Sequence, residues 1–437
     1  MNIDRLEASM REINEFGKTP EGGITRLAYS AEHWAATRYF MKQCEELGMS
    51  VRIDACGNVI ARRPGLVGNL PAVACGSHLD TVQQGGRFDG TLGVMAGLEL
   101  VRSLNERGIA TRHPIEVISF ACEESARFGI STVGSKAMAG KLNRASLERL
   151  HDKEGVSFRE ALSAVGLDIH RIESCRRSGN ELKAFFELHI EQGPVLEESG
   201  IDIGIVAGIA APVRLEITIR GKASHSGTTP MMMRKDALIG AAEIILELER
   251  AALAESPNGT VATAGVCDVR PGAMNVVPDQ VMLQVDVRGT KTASRQAVIK
   301  RIYSVMSRLE LERGLRSEVR VLSDEEPVLL DDRTADLLAG QCERLGYSYV
   351  RMMSGAGHDA MNMAALCPTG MIFVPSQGGL SHHKDEYSAT SQIARGAFLL
   401  EAAVLQCAEA ARDDAKDAMI TLNRGHQHES GKAKGIV

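Results

Sequence analysis

PAVACGSHLD (71–80), TLGVMAGLELVRSLNERG (91–108) and PIEVISFACEE (114–124) decide the fold. The first and third are short apolar runs, the pattern of strands buried on both faces. The segment between them reads as a helix. Strand, helix, strand in that order predicts an α/β domain with a largely parallel central sheet. ELKAFFELHIEQG (181–193) and TGMIFVPSQGG (369–379) read as further strands, and a long helix is expected over 389–412.

The texture changes near residue 212. From 213 to about 328 the order is strand, helix, strand, strand, helix, strand, which is that of a ferredoxin-like insert with two helices on one face of an antiparallel sheet. Along 281–288, Val281, Leu283, Val285 and Val287 fall on one face, and Met282, Gln284, Asp286 and Arg288 on the other. That period of two marks a sheet with one open side. The expected architecture is a discontinuous α/β domain, 1–212 plus 329–437, interrupted by an α+β domain over 213–328. The polar tail NRGHQHESGKAKGIV (423–437) reads as frayed, and His426 and His428 as part of a solvated tail more readily than as a metal tract.

Composition narrows the function. The 437 residues carry 50 Lys and Arg against 56 Asp and Glu, a net charge of −6, which gives no basic surface for nucleic acid. Aromatic residues are only 4%, too few to suggest stacking platforms for single strands. No apolar run is long enough to span a membrane, and the charged N-terminus does not resemble a signal peptide. A cytoplasmic protein is expected. The nine cysteines are scattered singly without a CxxC pair, so they read as small buried hydrophobes. Any metal is then held by nitrogen and oxygen.

Five clusters of ligand-type residues fall at predicted strand ends or in the loops after them, where α/β folds place their sites. His78 ends one strand, and Asp80, two residues on, is placed to take the second imidazole N–H, as carboxylates beside metal-bound histidines do. Asp89 lies just before a helix, where it can equally act as a cap. Glu123 and Glu124 end another strand as adjacent carboxylates, costly to bury without positive charge nearby. His189 ends an apolar run, and His382 and His383 follow a Gly-rich turn. Alone, each cluster has an ordinary structural reading as a satisfied or solvated side chain. Together they fit two metals sharing a bridging Asp89, with Glu123 as general base. A dinucleotide-binding reading fails, because no G-x-G-x-x-G follows the first strand.

The ordered set GSHLDTVQQGGRFDG (76–90), ACEES (121–125), ELHIEQGP (187–194), GKASHSGTTPM (221–231), AMNVVPD (273–279), SGAGHDA (354–360) and GGLSHHKDEYS (378–388) resembles the M20-type metallohydrolases. Within them it is most similar to the amidase/hydantoinase/carbamoylase branch, which holds N-carbamoyl-L-amino acid hydrolases and allantoate amidohydrolases. The resemblance implies a dimetal aminopeptidase-like catalytic domain with an inserted dimerisation, or lid, domain.

It also implies residue roles. His78 and His189 would bind one metal, Glu124 and His382 the other, with Asp89 bridging and Glu123 as base. The motif spacing to Glu386 selects His382 over His383. His225 would reach into the partner subunit's site to stabilise an oxyanion, with Asn275 and Arg288 clamping a substrate carboxylate. Gln192, Arg214 and the Gly357 loop are further substrate-contact candidates, Met231, Met232 and Met233 a possible side-chain pocket, and His358 and Asp359 loop-shaping residues. The implied protein is a homodimer using two divalent ions per subunit (zinc, manganese, cobalt or nickel). It would cleave N-carbamoyl-L-amino acids to amino acid, carbon dioxide and ammonia; allantoate hydrolysis, and the acylase or dipeptidase activities of the wider group, are the alternatives.

Overall fold

The structure, a computed structural model, describes residues 1–409. His426, His428 and the last residues of the helix expected to reach 412 lie outside the described residues. The chain forms two compact units: Met1–Ala207 with the described residues from Leu330 onward, and Gly208–Leu329. The first cut falls five residues before the expected 212/213 boundary, and the second one residue after 328/329. Pairing of the crossing segments explains the shift: Ile209 lies opposite Val328, and Gly208 opposite Leu329.

In the first unit the chain runs through helices α1 (Ile3–Ile13) and α2 (Ala31–Glu46), then strands β1 (Ser50–Ile53), β2 (Val59–Arg63) and β3 (Ala72–His78). Helix α3 (Thr91–Glu106), β4 (Ile115–Phe120), β5 (Leu182–Ile190) and β6 (Ile203–Ile209) follow. The second unit holds β7 (Ala211–Arg220), β8 (Ser224–His225), α4 (Ala237–Glu255), β9 (Val261–Arg270), β10 (Val276–Val277), β11 (Gln280–Gly289), α5 (Thr292–Arg313), β12 (Arg316–Asp324) and β13 (Val328–Leu329). The chain returns through α6 (Asp332–Leu345), β14 (Tyr349–Ser354), β15 (Thr369–Val374) and α7 (Thr390–Glu409).

The large sheet has the order β1-β2-β4-β3-β5-β15-β6-β13, with β14 also paired to β6. Only the central β4-β3-β5-β15 block is parallel. The flanking pairs are antiparallel, so the sheet is more mixed than the expected largely parallel one. Every residue of β3, β4 and β15 is buried, which is why these strands read as continuous apolar runs. Residues of α1, α2, α3, α6 and α7 share one core cluster with the sheet. Seven cysteines are buried and none is disulfide-bonded; Cys267 on β9 is exposed, unlike the buried hydrophobes expected.

The second unit is a four-stranded antiparallel sheet, β12-β7-β11-β9, with α4 and α5 sharing its core. On β11, Val281, Leu283, Val285 and Val287 are buried under the helices, and their neighbours face the open side. Each such burial contributes roughly 1.5–3 kcal/mol. A one-residue slip would turn all four outward, so the register is strongly held. Helix α4 begins at Ala237 because the Asp236 carboxylate caps the N–H groups of Leu238 and Ile239. Among the described residues no helix is long and apolar enough to cross a membrane.

Candidate active site

The ends of the parallel strands converge. His78 is the last residue of β3, Glu123 and Glu124 follow β4, His189 lies one residue before the end of β5, and His382 follows β15. Asp89, in the loop before α3, sits among them. Its Oδ1 is 3.3 Å from His78 Nε2 and 3.2 Å from His189 Nε2. Its Oδ2 is 3.2 Å from His382 Nε2, which in turn lies 3.3 Å from Glu124 Oε1. Two donor groups result, His78–Asp89–His189 and Asp89–Glu124–His382, sharing one carboxylate. His383 points elsewhere, toward Asp385. Glu123 Oε2 lies 3.7 Å from His78 Nε2.

Hydrogen bonding fixes what these imidazoles can do. His78 Nδ1 lies 2.9 Å from the Asp80 carbonyl oxygen, and His189 Nδ1 2.9 Å from that of Ile190. A carbonyl only accepts, so Nδ1 carries the proton and Nε2 of the neutral ring is a bare lone pair. The Gly90 N–H, 3.2 Å from His189 Nε2, agrees. Two lone pairs then face Asp89 Oδ1, an arrangement that needs positive charge between them. Donor atoms bound to one tetrahedral cation sit ~3.3 Å from each other, so the spacing fits a divalent metal.

The electrostatics point the same way. Hydrogen bonds to Asp89 and Glu124 push His382 up to about 11. Burial pulls His78 down, but Glu123, Asp89 and Asp80 outweigh it and hold the ring well above its ordinary value. Burial is also the main force on Glu123; opposed by His78 and aided by Glu124, Asp359 and Asp80, it keeps that carboxyl well above the usual range.

Supporting contacts explain the precision of the cluster. Asp80 departs from the expected role. Its backbone carbonyl, not its carboxylate, takes the His78 N–H; the carboxylate lies 3.9 Å from Nδ1. That carboxylate instead accepts the backbone N–H groups of Glu123 (3.2 Å) and Glu124 (3.0 Å), holding the turn that presents both acids. Glu386, entirely buried, does the same for the Asp89 loop, accepting the N–H groups of Phe88 (2.9 Å) and Asp89 (3.1 Å). In the sequence it enters only as a spacing marker for His382, and no further signal points to it. Cys122, Gln192 and His382 adopt φ of 53°, 59° and 54°, left-handed backbone that is costly without glycine and clusters here at the site. Gly90 has no room for a side chain, since a Cβ would fall 2.4 Å from the His78 ring.

Of the remaining candidates in this unit, Gln192 donates through Nε2 to Asp89 Oδ2 (2.7 Å). Gly357 is exposed in the loop that carries His358. His358 meets Ser354 Oγ at 2.9 Å and packs edge-on against His189, so it is a buried neighbour and not a ligand. Asp359 is fully buried.

The second unit brings its own candidates together. His225 and Val276 pair across the β8–β10 ladder, and the Ser226 N–H donates to the Asn275 carbonyl (3.0 Å), making His225 and Asn275 neighbours. On the open face of the large antiparallel sheet, Arg214 and Arg288 both pair with Asp286. Met231, Met232 and Met233 form a short exposed turn.

A sheet whose strand ends carry two carboxylate-bridged donor groups is the framework of a metal-dependent hydrolase. The sequence profile of peptidase family M20/M25/M40 matches residues 74–406, and the chain belongs to that family as a hydrolase of its amidohydrolase kind. An uncharacterized hydrolase of Haemophilus influenzae is 44% identical over 94% of this chain and 99% of its own. An N-carbamoyl-L-amino acid amidohydrolase of Geobacillus stearothermophilus is 42% identical over 93% and 98%. Relatives named ureidoglycolate hydrolase (Oryza sativa) and allantoate amidohydrolase (Bacillus subtilis) are 36% and 34% identical. A solved amidase of the hydantoinase/carbamoylase family from Burkholderia multivorans superposes with a TM-score of 0.87 at 36% identity, covering 93% of this chain and 98% of that one.

Proposed function

We propose that this chain hydrolyses a non-peptide C–N bond in a linear ureido or amide compound bearing a free carboxylate, with an N-carbamoyl-L-amino acid as the preferred substrate. The observation that carries the reading is the pair of donor groups sharing Asp89 with Glu123 beside them. His78, Asp89 and His189 would hold one divalent ion, and Asp89, Glu124 and His382 a second; zinc, manganese, cobalt and nickel all suit these donors. Ions there would supply Lewis acidity toward a carbonyl and toward water.

The chain's own groups do the rest. Glu123 takes a proton from water and passes it to the leaving nitrogen. His225 donates a hydrogen bond to the oxyanion. Asn275, Arg214 and Arg288 receive the substrate carboxylate, guanidinium being suited to bidentate pairing. Gln192 and the Gly357 loop line the pocket. His225 serves the partner subunit's site in a homodimer. That assembly is supported by exposed Ile239, Leu246 and Leu253, seven residues apart on α4, and by β9 as an unpaired sheet edge. Allantoate or ureidoglycolate is the second reading, favoured by the relatives that carry those names.

The test is ammonia release by chelator-stripped and metal-restored protein on N-carbamoyl-L-amino acids, allantoate, ureidoglycolate and a control dipeptide. Metal-dependent ammonia from the first class is the expected result. Cleavage of the dipeptide alone would overturn the substrate assignment.

A further inference from the structure

The open face of the sheet in the second unit carries a carboxylate that the roles above leave unused. Asp286 on β11 lies directly opposite Arg214 on β7, and Arg288 follows two residues along the same face. Asp286 Oδ2 accepts from Arg214 Nε at 3.2 Å. Arg288 grips the same carboxylate with two bonds, Nε to Oδ1 and Nη2 to Oδ2, each 3.0 Å. All three side chains line a concavity of about 480 Å³, together with exposed Val261, Val266 and Leu322.

Two guanidiniums therefore share one internal carboxylate at the wall of the concavity. The pairing also settles conformational cost. An arginine carries much rotamer entropy, which a ligand must otherwise overcome when it orders the side chain. Asp286 has already ordered both. Without it, two like charges would stand on neighbouring strands and spread apart.

We propose that Asp286 is a positioning residue: it holds Arg214 and Arg288 in place for the substrate carboxylate, an inference that rests on the role given to those arginines in the proposed function. The charge-assisted bonds from both arginines converge on Asp286, and an amide of the same size cannot replace them.

The experiment compares wild type with Asp286→Asn, and with Asp286→Ser as a second variant, on an N-carbamoyl-L-amino acid and on its α-carboxamide analogue. The KM for the carboxylate substrate should rise about tenfold with kcat within about twofold, and the carboxamide kinetics should not change. An unchanged KM, a lower KM, or an equal effect on both substrates would overturn the proposal. Should the wild type turn over no ureido carboxylate, the proposed function fails on its own. Asp286 is then judged by calorimetric binding of N-carbamoylglycine, which both variants should weaken by the same factor; equal binding, or none to the wild type, rejects it.

Discussion

His225 Nδ1 accepts a hydrogen bond of 3.0 Å from the backbone N–H of Gly227. An accepting Nδ1 is unprotonated, so the neutral ring carries its proton on Nε2 and presents a donor. His78 and His189 are held in the opposite tautomer by carbonyls, and present lone pairs. Local backbone contacts thus divide the histidines into one hydrogen-bond donor and two electron-pair donors. Removing the donor by His225→Ala should lower kcat by about 10²–10³ while leaving metal content unchanged. Steady-state kinetics beside elemental analysis checks this, and a fall in metal content would contradict it.

If His225 serves the partner's site while Arg288 serves its own, crippled subunits should complement. Mixed dimers of His225→Ala and Arg288→Ala subunits contain one site with both residues intact, and should recover up to half of wild-type activity. Purified heterodimers that stay as inactive as either parent would argue for a site complete within one chain.

Glu123→Gln keeps the shape of the side chain and its place on the Asp80-anchored turn, but removes the base. Bound metal should match wild type, and turnover should fall by at least about 10²-fold. Retained turnover would remove Glu123 from that role.

His33 gives a pH dependence apart from the metal cluster. It is buried, accepts the Tyr29 N–H at Nδ1 (3.0 Å), and is pushed down to about 3 by burial, with Arg26, His78 and Arg127 adding to the effect. The unfolded chain protonates this histidine near its ordinary value and the folded chain does not. The unfolded state therefore binds more protons, and the stability His33 supplies above about pH 6.5 drains away as pH falls toward 3. Between about pH 6.5 and 5.5, wild type should lose roughly 1 kcal/mol more than His33→Asn. Urea midpoints at the two pH values measure it, and parallel losses would contradict it.

Arg26 is fully buried, with no carboxylate in its hydrogen bonds. It donates to the carbonyls of Leu79 (2.7 Å), Ile13 (3.0 Å) and Phe16 (3.2 Å) and to Thr91 Oγ1 (2.9 Å), tying the N-terminal helix to the segments that follow His78 and Asp89. Arg26→Met would leave these acceptors unsatisfied and should destabilise the chain by about 3–5 kcal/mol. Chemical denaturation tests this, and a loss under about 1 kcal/mol would show that the acceptors find other partners.

How much of this was legible in the sequence follows from range. Apolar runs ending in His78, Glu124 and His189 announced buried strands with polar tips, because a strand covered on both faces has few ways to use such residues except at its end. The alternation around Val285 announced the half-open sheet. The antiparallel edges of the large sheet were not readable, since strand order depends on pairings between segments over a hundred residues apart, such as β15 with β5 and β6. The hydrogen bonds of the Asp80 carboxylate are not readable for a related reason. A carboxylate two residues after a histidine looked like its partner, while the turn it holds is supplied by Glu123, 43 positions away. The contacts of Glu386 with the Phe88 and Asp89 N–H groups, and of Asp286 with Arg214, are not readable because only the fold brings those partners near.

The central claim is that Asp89 joins two donor groups into one two-cation centre. Metal content by elemental analysis of purified wild type and Asp89→Asn, each after saturation and gel filtration, tests it most directly. Two divalent ions per chain in the wild type and a loss from both groups in the variant are the predicted result. Full occupancy in Asp89→Asn, or loss of one ion with the other unaffected, would contradict a shared bridge.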